Sequence, residues 1–101
     1  MASKFFSDAL SNAGGRCEYC GKSLLDNFDV FWTSQEDHLD PSSDRSSENI
    51  VIACNVCNNL KSNYKPNGKN RQEKIGDARR YIFTKRAEKM EDFLSWKVKL
   101  Q

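Results

Sequence analysis

Residues 49–61 read NIVIACNVCNNLK. Ile50-Val51-Ile52-Ala53 is a short apolar run rich in β-branched residues, which predicts a buried strand. It runs straight into Cys54-x2-Cys57 and then Asn58 and Lys61, where a helix should begin. A CxxC turn lets two thiolates grip one tetrahedral metal ion. The strand therefore ends on half of a metal site, and the other half must lie elsewhere in the chain.

It lies upstream, at Cys17-x2-Cys20, with 33 residues between the two pairs. Two such turns complete a four-cysteine set. Thiolates are soft donors and structural zinc sites are closed, so Zn2+ in a structural role is the expected occupant. With four cysteine ligands no coordination position stays open, so this ion would not itself be catalytic. Disulfide pairing is disfavoured. The opening residues, MASKFFSDALSNAGG, contain no long apolar stretch of the kind that marks secretion, and thiols stay reduced in the cytoplasm, the expected location. A thioredoxin-like redox role would account for one CxxC and not for two.

Working outward, Ser3 to Ala13 has apolar residues at helical spacing. Ser3 is placed to cap the start, and Gly14-Gly15 to stop it. Phe28 to His38 is rich in strand formers, and residues 40–48, DPSSDRSSE, form a polar loop. Residues 62–70 make a basic linker around Pro66 and Gly68. From Arg71 the pattern is helical, with an apolar stripe through Ile75, Ile82, Met90 and Leu94 and a possible break near Gly76 or after Ala87. The closing MEDFLSWKVKL is apolar enough to pack on the N-terminal helix or to form a dimer surface.

The chain has 101 residues, 38% hydrophobic and 30% charged. Such a thin core calls for a staple. There is no apolar run of about 18 residues, so no membrane span is expected, and a Rossmann or barrel enzyme would not fit. The net charge of +2 hides a polarity. Residues 1–60 hold 4 Lys/Arg and 9 Asp/Glu, a net −5, while residues 61–101 hold 12 and 5, a net +7. A basic second half points to a polyanion, with nucleic acid first in line.

The only histidine is His38, in Glu36-Asp37-His38-Leu39-Asp40-Pro41. Together with the downstream motif it gives the order D-H … N-x-V-x-A-C-x-x-C-N-x-x-K. This ordered set, flanked by both cysteine pairs from Cys17 to Lys61, resembles the HNH endonuclease family, in the H-N-N variant whose last histidine is asparagine. The loop after Pro41 has SSDRSS where many relatives carry Gly-Gly, and Asp40 replaces the usual apolar residue before that proline. Both departures concern loop shape rather than ligands.

The resemblance implies an α+β fold: a ββα-metal unit, here stapled by the four-cysteine zinc site and flanked by N- and C-terminal helices. The strand–loop–strand–helix pattern of residues 28–62 agrees with it. Residues 1–101 are then one domain, with an N-terminal helix to residue 16, a zinc-stapled core over 17–62, and a basic linker with C-terminal helices over 63–101. The implied activity is metal-dependent hydrolysis of DNA phosphodiester bonds. His38 matches the general base, the role neutral imidazole fills best near pH 7. Asn49, the second catalytic position, matches the residue that holds the histidine and its loop. Asp37 and Asn58 match the metal positions, and their oxygens suit Mg2+ or Mn2+.

Lys65, Lys69 and Arg71, in the basic stretch after the motif, are expected to contact DNA, with a solvated face as the alternative. Lys61, one turn beyond Asn58, is either a phosphate contact or simply solvated. The expected substrate is double-stranded DNA, cut by nicking, by a monomer or homodimer. The competing expectation is a zinc-stabilised DNA-binding module without catalysis.

Overall fold

A computed structural model describes residues 4–43 and 46–101. The expected cap at Ser3 and the Asp44-Arg45 part of the serine-rich loop lie outside the described residues. The elements are α1 (Lys4–Asn12), α2 (Phe28–Trp32), β1 (Gln35–His38), β2 (Ile50–Ala53), α3 (Asn55–Lys61) and α4 (Arg71–Lys99), with a 3-10 turn at Ser47–Asn49 before β2. The fold is α+β: helices around a two-stranded antiparallel sheet.

α1 stops where the glycines predict. Gly14 and Gly15 adopt φ of +64° and +74°, and the Gly15 N–H donates to the Leu10 carbonyl at 2.9 Å, closing the helix end. The chain then enters the first knuckle, pinned by a bridge between Arg16 and Ser23.

The expected strand over Phe28–His38 is only partly one. Phe28–Trp32 is a short helix, and only Gln35–His38 is strand. Local capping outweighs strand propensity here. The Asn27 side chain accepts from the Val30 N–H at 2.9 Å, and the Thr33 hydroxyl donates to the Asp29 carbonyl at 2.7 Å. Helical spacing then stacks Phe28 on Trp32, with ring centroids 5.6 Å apart. Phe31 meets Phe6 of α1 edge-on at 6.3 Å.

In the sheet, Gln35 faces Ala53, Asp37 faces Val51 and His38 faces Ile50. All four residues of β2 are buried, as their continuous apolar run requires. The free edge of β2 is covered by Glu18 of the first knuckle. Its N–H donates to the Ile52 carbonyl at 3.0 Å, and its carboxylate accepts the Ile52 N–H at 3.1 Å. One residue thus does the work of a third strand. The core joins Phe6, Tyr19, Leu24, Leu39 and β2 to Ala78 and Ile82 of α4.

α4 is one continuous helix of 29 residues, unbroken at Gly76 and at Ala87. A lone helical glycine costs about 1 kcal/mol, too little to end a helix with this many turns. Its start is capped by Asn70, which accepts from the Glu73 N–H at 2.9 Å. Only its first half is anchored, since Ala78 and Ile82 are its buried residues. From Phe83 onward almost every side chain is exposed, so the closing segment does not pack on α1 as one expectation had it.

Arg71 ties α4 to the rest. Its guanidinium pairs with both Glu18 oxygens at 3.0 and 3.1 Å and donates to the carbonyls of Ile50, at 3.0 Å, and Glu48, at 3.2 Å. Replacing Arg71 by Met should lower unfolding stability by about 1–2 kcal/mol in urea titration, because a bidentate, partly buried pair and two carbonyl bonds are lost together. Lys69→Met, next in the same linker but exposed, should change it by less than about 0.5 kcal/mol.

Candidate active site

Asp37 and His38 end β1, and Asn58 sits in the first turns of α3. With Glu36, Pro41, Asn59, Ser62 and Asn63 they line one open, polar cleft of about 460 Å3. The antiparallel hairpin and the helix that follows it converge there, so Asn58, 20 positions beyond His38, shares one site with Asp37 and His38. His38 is exposed at this cleft. Glu36, Asn59, Ser62 and Asn63 also belong to it and were not singled out from sequence. Glu36 precedes His38 by two strand positions, so both project from one face of β1. That alternation was the available signal.

Asp37 is almost completely buried, with 7% of its surface exposed. Its Oδ2 accepts the Tyr19 hydroxyl at 2.6 Å and pairs with Lys61 Nζ at 3.2 Å. Both bonds fall on one oxygen, which leaves Oδ1 for the cleft that Asp37 lines. Burial pushes the Asp37 carboxyl above its usual range, against the Tyr19 bond and the Lys61 charge, which pull it down. Burial, reinforced by the Asp37 charge, pushes the Tyr19 phenol far up, so it remains a donor.

Lys61 is wholly buried. Besides Asp37, its ammonium donates to the His38 carbonyl at 3.0 Å. Neither alternative read from sequence holds, because the side chain is neither on a phosphate-facing surface nor solvated. It locks the end of β1 to the end of α3, and with it the backbone of the histidine.

Asn49 is not in the cleft. Its side-chain amide embraces the backbone of Asp40: Oδ1 accepts the Asp40 N–H at 2.8 Å, and Nδ2 donates to the Asp40 carbonyl at 3.1 Å. Its own carbonyl accepts the Leu39 N–H at 2.8 Å. Asn49 is therefore a positioning residue for the loop leaving His38. Asp40 in turn accepts the Ser42 hydroxyl and N–H at 2.7 and 2.9 Å. These bonds hold its carboxyl below the usual range, and the Ser43 N–H donates to the Asp40 carbonyl at 3.0 Å, closing the turn.

The sulfurs of Cys17, Cys20, Cys54 and Cys57 lie within 4.8 Å of one another, positioned to form a metal site. A tetrahedral ion with metal–sulfur bonds of about 2.3 Å needs sulfurs about 3.8 Å apart, and Cys20 and Cys54 are 3.8 Å apart. Each knuckle also turns an N–H onto its first sulfur: Cys20 onto Cys17 at 3.5 Å and Cys57 onto Cys54 at 3.4 Å. Hydrogen bonds from its neighbours pull the Cys17 thiol strongly down, and the same contacts push Cys57 up. One thiolate in the cluster thus opposes the next, a conflict that a bound cation removes.

The basic residues divide. Lys65 and Lys69 are exposed on the linker. Arg71 is engaged with Glu18 and two carbonyls and serves the fold. Among the described residues no helix is long and apolar enough to cross a membrane.

Residues 17–64 match the family model for HNH endonuclease, a span that holds both knuckles and every residue of the cleft. The chain therefore carries an HNH endonuclease domain, which supports nuclease chemistry in general terms. No curated protein and no solved structure matches the chain.

The buried pair sets a stability test. Lys61→Met should destabilise the fold by about 3–5 kcal/mol, because Asp37 would be left buried beside an apolar group. Urea unfolding of this variant beside Lys65→Met, whose parent residue is exposed, measures the difference.

Proposed function

We propose that this HNH domain is a metal-dependent endonuclease that hydrolyses phosphodiester bonds of double-stranded DNA, one strand at a time. The observation that carries the reading is the convergence of His38, Asp37 and Asn58 on one open cleft. His38 takes the proton from the attacking water, since an exposed neutral imidazole is suited to that near pH 7. Lys61 and Asn49 fix the backbone on either side of it. Asp37 Oδ1 and the Asn58 amide oxygen would hold the catalytic ion. These are hard donors in a site open to water and substrate, which favours Mg2+ or Mn2+. Such an ion, when bound, neutralises the charge that develops on the phosphate and protects the leaving oxygen.

The four-sulfur cluster takes Zn2+ and has a separate duty, to hold the two knuckles together. Exposed Lys65 and Lys69, with Lys74 beside the loop, supply contacts to DNA phosphates. A DNA-binding module without catalysis has no need of an imidazole beside a hard-metal pair, which is why that reading ranks second.

His38→Ala should lower plasmid cleavage in Mg2+ or Mn2+ by about 10²–10⁴-fold while leaving folding and DNA binding intact. Near wild-type cleavage by this variant would sink the assignment. With one site per chain, supercoiled plasmid cut at enzyme concentrations where the chain is monomeric should pass first to open circles, and direct conversion to linear DNA there would contradict nicking. The two metals should separate as well. Elemental analysis should find about one zinc per chain, and Cys54→Ser or zinc removal should unfold the domain. Dialysis against Mg2+-free buffer should leave it folded and inactive.

A further inference from the structure

α4 divides into two halves of different character. Residues 61–82, the linker and the anchored half, hold 7 Lys/Arg and 2 Asp/Glu, a net +5. Residues 83–101 hold 5 and 3, a net +2, and concentrate apolar side chains instead. At about 1.5 Å per residue the 29-residue helix is about 44 Å long, nearly the whole 46 Å of the protein's longest dimension. Its second half projects from the body with Phe83, Met90, Phe93, Leu94 and Val98 exposed by 39–74%.

These residues are not scattered. Phe83, Ala87, Met90 and Leu94 follow one another at steps of four, three and four, which places them on one side of a helix. Together with the flanking Phe93 and Val98, these large side chains at roughly half exposure leave on the order of 600 Å2 open along the seam and its flanks. That is large for an unpartnered surface of so small a protein and approaches the ~800 Å2 each partner buries in a standard interface.

We propose that this face pairs with the same face of a second copy, as a parallel two-fold helix pair. The flanking residues select both the partner and the direction. In a parallel pair, a residue on one flank of the seam meets the residue five positions further on in its partner, on the opposite flank. Arg86 then meets the second copy's Glu91, and Phe93 meets its Val98. One contact joins opposite charges and the other joins apolar groups, and two-fold symmetry makes each of them twice. An antiparallel pair matches like flanks instead. It would bring the two Glu91 carboxylates together near the axis and set Arg86 against Phe93. The near balance of charge beyond residue 82 also separates this surface from the basic one offered to DNA. No residue of the cleft lies on the seam, so each catalytic site keeps its own chemistry.

Sedimentation equilibrium of the full, zinc-loaded chain tests this. The mass should rise with concentration from 11.6 kDa towards twice that value. Leu94→Glu should hold it at the monomer value. Arg86→Glu and Glu91→Arg should each weaken association by about tenfold or more. The double exchange should restore it, which only the parallel register allows, because residues 86 and 91 do not meet in the antiparallel one. All three substitutions lie on an exposed surface, and zinc content and helical circular dichroism report on the folding of each variant. A mass of 11.6 kDa at every concentration overturns the proposal, as does a dimer that ignores Leu94→Glu or a double exchange that fails to restore it. Because the readout is mass and not cleavage, it stands or falls apart from the nuclease assignment.

Discussion

The convergence of four sulfurs on one point is the constraint from which the rest of the structure follows. Cys17 and Cys20 lie after α1, whereas Cys54 and Cys57 lie at the junction of β2 and α3. Bringing them together fixes both ends of the segment that contains the hairpin. The intervening residues of the first knuckle then act as struts. Glu18 covers the edge of β2 and receives Arg71 from α4, while Tyr19 reaches Asp37. Two consecutive side chains thus carry the geometry of the metal cluster into the sheet, the long helix and the candidate active site. In a chain with so small a core, such fixed points replace apolar area.

The second fixed point is electrostatic. A buried lysine and a buried carboxylate each lose hydration, and their attraction alone seldom offsets that loss. Here every partner is supplied: Asp37 has Lys61 and Tyr19, and Lys61 has Asp37 and the His38 carbonyl. What the pair provides is specificity of position. The carboxylate oxygen on the Lys61 side is committed, so the residue presents its other oxygen to the cleft in one orientation. Through the same ammonium the histidine backbone is referred to α3, the helix that carries Asn58.

Local signals were readable in the sequence, and distant pairings were not. The β2 run, the cysteine spacing, the glycine stop of α1 and the D-H … N … C-N-x-x-K order each depend on neighbours a few residues apart, or on metal geometry that spacing reveals. The helix at Phe28–Trp32 was misread because strand propensity is a weak preference that Asn27 and Thr33 override from outside the segment. Lys61 was misread for another reason. A lysine is almost never fully buried, and its partner sits 24 positions away on another element. For Arg71 the basic run points only to an anion surface and gives no sign of a structural partner. Its carboxylate partner, Glu18, lies 53 positions upstream. Tyr19 passed as a spacer inside a knuckle.

The same distinction explains α4. Periodicity correctly marked an apolar stripe along the helix, but it cannot say where the protein body ends. The body ends near Ile82, the last buried residue, and the stripe continues. Up to that point its apolar residues serve the core. Beyond it the same pattern stays exposed, and the surrounding charge falls towards balance. A helix polar all round could project alone as a solvated rod. One that carries Phe83, Met90 and Leu94 along a single side lowers its free energy by covering that side, and the flanks at residues 86, 91, 93 and 98 complement themselves in only one of the two directions of pairing.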